Sequence, residues 1–195
     1  MRKLNLGCGQ NKMPGYINVD KYAAVEPDVL WDLEVTPWPF ETNSVDEIVM
    51  RHCLEHMGST TEIFFGIIKE LYRVSCHGGK TLVAIPHPRS DGFAGDPTHV
   101  RPLLPQVFSL FSRKNNLDWK ERNWPNTPLA LYLGVDIEIE HVNFDLMPFW
   151  AEEFQQGRKS REEIEFAIAS YYNVVNEITV TLRVVKEADN SLRID

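Results

Sequence analysis

The sequence holds no apolar run that approaches the roughly 20 residues a membrane-spanning helix needs. It has no basic surplus either. Twenty Lys and Arg stand against 28 Asp and Glu, a formal net charge of −8. A field of that sign repels nucleic-acid backbones and anionic membranes, so neither general nucleic-acid binding nor membrane association is expected. Cysteine is scarce. Cys8, Cys53 and Cys76 are odd in number and lack C-x-x-C spacing, which argues against a disulfide framework and a zinc knuckle. After Met1-Arg2-Lys3 there is no apolar h-region of a signal peptide. A reducing, cytoplasmic location is the expectation. Repeats and low-complexity tracts are missing too. What remains is 195 residues with 43% hydrophobic side chains, which suits one domain, 1–195, with a real core.

Residues 3–7 read as a strand, 16–19 as a second that ends at Asp20, and 28–33 as a third. "DEIVMRH" (46–52) and "KTLVAIP" (80–86) have the continuous apolar centres of strands buried on both faces. Between them, Ser59-Thr-Thr-Glu62 has the form of a capping box. Ile63, Phe64, Ile67, Ile68 and Leu71 then recur at helical spacing, and Gly78-Gly79 supplies a stop. Strand, crossover helix and strand make a βαβ unit, hence a parallel sheet. Residues 86–105 contain five prolines and read as a long loop of the kind that carries function. The region 86–128 is expected to cover a substrate, with a short helix over 105–114 and an irregular stretch over 115–128. "DIEIEHVNFDL" (136–146) and "NEITVTLRVVK" (176–186) alternate as antiparallel strands do. Ser160-Arg-Glu-Glu163 is a second capping box, followed by an Ile164, Ala167, Ile168, Tyr171 stripe. The class is α/β, mostly parallel, with an antiparallel ribbon at one edge. As that edge, 176–186 could pair with a second copy.

The most informative stretch is "LNLGCG" (4–9), a strand-like run that ends in Gly-x-Gly. Glycines at a strand's carboxyl end let a ligand approach the backbone, and ligands of open α/β sheets bind at that edge. Asp20, at the end of the second strand, can accept both hydroxyl hydrogens of a ribose. Asp32, at the end of the third, can accept from an exocyclic amine. Together these residues describe an adenosine site. The rival, a dinucleotide site, needs G-x-G-x-x-G and an acid about 20 residues on. The register here is Gly7-Cys-Gly9-Gln-Asn-Lys12, and Asp20 comes too early.

These residues resemble the class I S-adenosylmethionine-dependent methyltransferases, of the small, mostly bacterial "LNLGCG…PGYINVD" type. The likeness runs from Leu4 to about Lys186. It rests on "LNLGCG", Asp20, "WDL" (31–33), "WPFETNSVDEIVMRHCLEHM" (38–57), "IKELYRVSCHGGKTLVAIP" (68–86) and the closing strand. It implies a Rossmann-like fold with helices on both faces and S-adenosyl-L-methionine as cofactor. By position, the backbone of Leu6, Gly7, Cys8 and Gly9 would line the methionine part. Asp20 would bind the ribose, Asp32 and Leu33 would meet the adenine, and Arg51 and His52 would border the sulfonium. The chain departs from the family where Asn5 replaces an acid and Gln10-Asn11 a third glycine. Only six residues separate Gly9 from Tyr16, and a parallel crossover usually needs a dozen or more. Either the first helix is reduced to a turn, or the first two strands lie elsewhere.

Methyl transfer from a sulfonium needs alignment and exclusion of water, and a base only where the acceptor must lose a proton. His99, in "GDPTHVRP" (95–102), is the first candidate for that base or for orienting an acceptor, and His52 is the second. His87, Asp96 and Arg101 are candidate substrate contacts. The alternative for this loop is a His–Asp pair that only fixes its shape. "HCLEH" (52–56) places His52, Glu55 and His56 where one helical turn could ligate a metal. The family likeness favours a His52 that borders the cofactor and a Glu55 and His56 that fix the turn, so no metal is expected. Trp38 reads as core, while Phe93, Trp119 and Trp124 could line an acceptor pocket. The expected activity is methyl transfer to an oxygen or nitrogen of a small-molecule substrate. The alternative is a methyltransferase-like domain without catalysis, acting as an interaction module, which the shortened first turn keeps open.

Overall fold

The computed structural model describes residues 1–186. Seven strands form one sheet: β1 (Lys3–Leu6), β2 (Ile17–Asp20), β3 (Val29–Leu30), β4 (Val45–Arg51), β5 (Ser75–Pro86), β6 (Ile137–Leu146) and β7 (Val175–Val184). Their order is β3-β2-β1-β4-β5-β7-β6. The first five run parallel, and β7 is antiparallel to both β5 and β6. The α/β class and the mostly parallel sheet are as expected from the sequence. The strand order reverses between β1 and β4, and a ligand of such a sheet sits outside the carboxyl ends at that switch point. The Gly-x-Gly turn follows β1, and Arg51-His52 stands at the end of β4.

Helix α1 (Thr61–Val74) joins β4 to β5. Its cap is Thr60, whose hydroxyl accepts from Ile63 N at 3.4 Å, one residue later than the Ser59 reading. Phe64, Ile67, Ile68, Leu71 and Val74 bury its apolar face against Leu4, Leu6, Ile48, Met50, Val83 and Ile85. Full burial of each such side chain contributes about 1.5–3 kcal/mol. Glu70 is buried on the same helix. Its carboxylate accepts from Trp38 N at 2.6 Å and from Arg73 Nε and Nη2, each at 2.7 Å, and so ties the β3–β4 connection to α1. Trp38 is core, as read. The expected glycine stop is not used. The helix passes through Ser75 straight into β5, and Gly78-Gly79 lies where the β4–β5 register shifts, between the Val45–Ser75 and Glu47–Lys80 pairs.

A single turn, α2 (Asp91–Ala94), interrupts the proline-rich loop. The helix read over 105–114 is shorter, α3 (Pro105–Ser109). It is followed by α4 (Arg113–Glu121), where an irregular stretch was expected, and by α5 (Leu129–Leu133). Capping rather than an apolar stripe sets α4: Ser112 Oγ accepts from Asn115 N at 3.3 Å. Its buried Asn116 accepts from Ala130 N at 2.9 Å and donates to Leu110 O at 3.0 Å, locking α5 beside α3. Phe111 packs on Phe64 of α1, with centroids 6.2 Å apart, so this group shares α1's layer.

The opposite face is built differently. The β1–β2 crossover is a helix-free loop and the β2–β3 crossover holds one 3₁₀ turn, Ala23–Val25. The first crossover is thus reduced to turns, and the first two strands stand where the sequence put them. Polar side chains hold that loop in the helix's place. Asn5 Nδ2 donates to Asn11 O and Asn18 Oδ1, both at 2.9 Å, and Asn18 Oδ1 accepts from Met13 N at 2.8 Å. Asn18 donates through its backbone and its amide to Asp28 Oδ2, which holds that carboxyl below the usual carboxylate range. Across β1, β4, β5 and β6 this face carries paired charges, Lys3–Glu47 at 2.7 Å and Lys80–Glu140 at 2.8 Å among them.

The reading of 176–186 as the sheet edge is corrected: β7 lies between β5 and β6, so both its sides are paired, and β6 and β3 are the edges. Alternation alone marks a strand with one buried face and does not say which neighbours it takes. The β6–β7 connection contains α6 (Pro148–Gln155) and α7 (Arg161–Ser170), the latter started by the expected Ser160/Glu163 capping box. No described helix is long and apolar enough to cross a membrane.

Candidate active site

The turn after β1 is shaped by two left-handed glycines, Gly7 (φ +65°) and Gly9 (φ +48°). They have different reasons. A Cβ on Gly7 would meet Cys53 Cβ at 2.5 Å, so Gly7 lets the β4 end pack closely. A Cβ on Gly9 would meet nothing within 4 Å, so the missing side chain leaves open space over the backbone. Cys8 N donates to Val19 O at 3.1 Å, and its thiol is buried in the core, which pushes its pKa up. The Cys8 side chain therefore does not enter the space above the turn.

Asp20 ends β2 beside this turn and is buried. Its Oδ2 accepts from Gly9 N and its Oδ1 from Tyr22 N, both at 2.9 Å. A carboxylate has about four lone-pair sites, so each oxygen keeps acceptor capacity for a ligand. A shallow groove continues from there, lined by Lys21, Tyr22, Leu30, Trp31, Asp32 and Val35. Tyr22, Leu30 and Val35 expose apolar surface in it, a suitable bed for a flat aromatic base. Asp32 Oδ1 accepts from Glu34 N at 3.0 Å. Leu33 faces the other way: its side chain is core and its carbonyl accepts from Trp38 Nε1 at 2.9 Å, and it does not line the groove.

At the end of β4, Arg51 is exposed and pairs with no described residue. His52 follows in a left-handed conformation (φ +48°). Its Nε2 lies 2.8 Å from Glu177 and its Nδ1 3.6 Å from Glu55. The Glu55 carboxylate, with Glu177 behind it, raises its pKa against the effect of partial burial. Cys53 Sγ donates to Leu6 O at 3.3 Å, and burial pushes that thiol far up. The thiol is thus a strut between the two strand ends, not a nucleophile.

Beyond lies a 3₁₀ turn, Leu54–His56, on which the proline-rich loop is pinned. Val100 N and Arg101 N both donate to Glu55 O, at 3.0 and 3.1 Å. Arg101 Nε donates to Gly58 O at 3.0 Å, and the guanidinium sits 4.3 Å over the Phe64 ring. That side chain is committed to holding the loop. His99 is stacked on Phe93, with centroids 5.1 Å apart, and its Nδ1 donates to Phe93 O at 2.8 Å. Asp96 stands 3.8 Å from His99 Nε2, and hydrogen bonds from Thr98 hold its carboxyl below the usual range. His56 joins the same cluster, its ring centroid 4.5 Å from that of His99. His87 stands apart, buried at the end of β5, where its Nδ1 accepts from Arg89 N at 3.0 Å and burial lowers its pKa. The structure therefore brings Asp96 and His99 together with His56 and Glu55, and leaves Arg101 and His87 to hold backbone.

No family model matches the chain, and no curated protein sequence matches it significantly. Solved structures do. A SAM dependent methyltransferase from Archaeoglobus fulgidus matches with a TM-score of 0.59 at 18% identity, over 93% of this chain and 85% of that one. An S-adenosylmethionine dependent methyltransferase from Mesorhizobium loti matches with a TM-score of 0.50 at 16% identity, over 93% and 90% of the two chains. The chain has the class I methyltransferase fold. The [4+2]-cyclase SpnF also matches, with a TM-score of 0.52 at 17% identity, over 95% of this chain and 76% of that one. That protein is a cyclase, so the fold fixes the place of a site and leaves the reaction to the residues in it.

Two features of the site escaped the sequence reading. The Asn5–Asn18–Asp28 network is invisible until β1 and β2 are in register, since the three residues have no common spacing. Glu70 sits on the buried side of α1 and looks from sequence like a surface charge three residues before Arg73; only its burial beside Trp38 gives it away.

Proposed function

We propose that the protein is an S-adenosylmethionine-dependent methyltransferase acting on an oxygen or nitrogen of a small molecule. The observation that carries this reading is the open space over Gly9 beside the Asp20 carboxylate, at the switch point of a class I methyltransferase fold. A dinucleotide would need a helix N-terminus for its pyrophosphate, and here no helix follows β1. When bound, the cofactor supplies an electrophilic methyl group whose transfer returns the bonding electron pair to sulfur.

The chain's own residues would do the rest. Backbone groups of Leu6 to Gly9 line the amino-acid end, and Asp20 accepts the ribose hydroxyls. The Tyr22–Leu30–Asp32 groove takes the base. Arg51, exposed and unpaired among the described residues beside the glycine turn, is suited to a carboxylate. The 86–104 loop, pinned through Glu55 O, would close over the acceptor and exclude water. His99 Nε2, like His56 Nε2 beside it, makes no hydrogen bond to a described residue. It is suited to take a proton from a hydroxyl or ammonium acceptor, or to orient it.

The test is turnover. The purified full chain is incubated with S-adenosylmethionine and pooled small hydroxy and amino compounds, and formation of S-adenosylhomocysteine is measured. Acceptor-dependent product formation that falls at least tenfold in Asp20→Asn supports the reading. Product formation unchanged by that substitution contradicts the assigned site.

A further inference from the structure

Glu55 is 1% exposed, and neither of its carboxylate oxygens has a hydrogen-bond partner among the described residues. A buried, unsatisfied carboxylate is costly and demands a reason. His52 Nδ1 lies 3.6 Å from Oε1, too long for a hydrogen bond. The carboxylate instead faces two imidazoles. Ligand atoms of Glu55, His56 and His99 all lie within 4.8 Å of one another.

The hydrogen bonds behind the two rings decide which nitrogens are available. His99 Nδ1 is 2.8 Å from Phe93 O, a group that only accepts, so Nδ1 carries the proton and Nε2 keeps a lone pair. His56 Nδ1 is 2.9 Å from Thr98 Oγ1, and that hydroxyl donates its own hydrogen to Asp96 Oδ1 at 2.6 Å. Thr98 must therefore accept from His56, which again leaves Nε2 bare. Both rings are set in the tautomer that a cation requires, by the kind of outer partner that ligating histidines use.

We propose that Glu55, His56 and His99 form a binding site for a divalent first-row transition ion. Two imidazole nitrogens and one carboxylate suit zinc, manganese, iron or cobalt better than calcium or magnesium, which prefer oxygen ligands throughout. Three protein ligands leave coordination positions open, as in catalytic rather than structural sites. An ion about 2.1 Å from each donor draws them to about 3.4 Å of one another, a small closure for the exposed His56. The sequence reading had expected no metal and had considered His52, Glu55 and His56 on one helical turn. In the structure His99, from the loop after β5, takes the place of His52, which is engaged by Glu177.

The site also stands in the right place to be used. Glu55 follows Cys53 by two residues, and the Cys53 thiol bonds Leu6 O at the start of the glycine turn. The cation would thus lie at the same carboxyl edge as the cofactor cleft, where its open positions would bind an acceptor hydroxyl and ease loss of its proton to solvent. With the ion in place His99 Nε2 is a ligand, so the ion replaces the base role given to that nitrogen above. That use rests on the methyl-transfer reading; the site itself does not.

The full chain is stripped with a chelator and titrated with Co²⁺ by visible absorption and with Mn²⁺ by calorimetry. One ion per chain is expected, with cobalt bands characteristic of imidazole and carboxylate ligands. Glu55→Gln and His56→Ala should each weaken binding at least tenfold, while His141→Ala, on the exposed edge strand, should bind as wild type. Glu55→Gln keeps the buried shape and His56 is exposed, and melting of the metal-free variants checks that both fold. Absence of binding by the wild type overturns the proposal, as does binding that neither substitution weakens. S-adenosylhomocysteine binding measured with chelator present separates the two readings, since it tests the cofactor cleft without the ion.

Discussion

Asp20 Oδ2 accepts a hydrogen bond from Gly9 N at 2.9 Å, so the acid at the end of β2 and the open glycine of the β1 turn are one unit. Asp20→Asn keeps the shape but replaces one acceptor oxygen with a donor. It should lower affinity for S-adenosylhomocysteine at least tenfold, about 1.4 kcal/mol or more, as two charge-assisted hydrogen bonds to ribose hydroxyls are weakened. Calorimetric titration of wild type and variant checks this.

The two glycines of the turn should separate stability from binding. Gly7→Ala forces a methyl group into Cys53 in a left-handed backbone, and a loss of roughly 1–3 kcal/mol is expected in urea unfolding. Gly9→Ala meets no protein atom within 4 Å. It should lose only about 1 kcal/mol, from its backbone conformation, yet weaken ligand binding because it fills the cradle. Equal loss of stability in the two variants would contradict this division.

Glu70 is the buried charge that fastens the β3–β4 connection to α1 through Trp38 N and Arg73. Glu70→Ala strands the Trp38 amide, while the part-exposed Arg73 guanidinium keeps its bonds to Trp38 O and Thr42 Oγ1. The expected loss is about 1–3 kcal/mol, the cost of an unsatisfied buried donor. Unfolding midpoints in denaturant measure it.

His87 gives the fold an acid sensitivity. Burial, and after it the Arg89 charge, holds its pKa below the ordinary histidine value. The unfolded chain therefore binds the proton more readily than the folded one. Stability from this group is complete above the ordinary histidine range and is lost as pH falls through it toward the lower folded value. Thermal midpoints should drop between about pH 7 and pH 5. They should drop less in His87→Asn, whose side-chain oxygen can still accept from Arg89 N. An identical drop in both proteins would remove His87 as the cause.

Much of this was legible in the chain itself. The apolar centres of β4 and β5, the α1 stripe and the Ser160–Glu163 box specify their elements locally, and Gly7, Gly9 and Asp20 mark the turn at the switch point through residue type alone. The parts that were not legible depend on contacts between distant segments. The place of β7 inside the sheet follows from pairing with both β5 and β6. The polar helix α4 has no apolar period to betray it and rests on the Ser112 cap and on Asn116. The Glu55 cluster needs His99, 44 residues on in the sequence, to be folded back by the two bonds to Glu55 O.

The central claim is that the turn after β1 holds the adenosine-bearing cofactor of a methyltransferase. The most direct measurement is calorimetric titration of S-adenosylhomocysteine into the wild-type protein, with NADH as the comparison. The account predicts saturable one-to-one binding of S-adenosylhomocysteine in the micromolar range and no binding of NADH. Failure of S-adenosylhomocysteine to bind, or tighter binding of NADH, would contradict it.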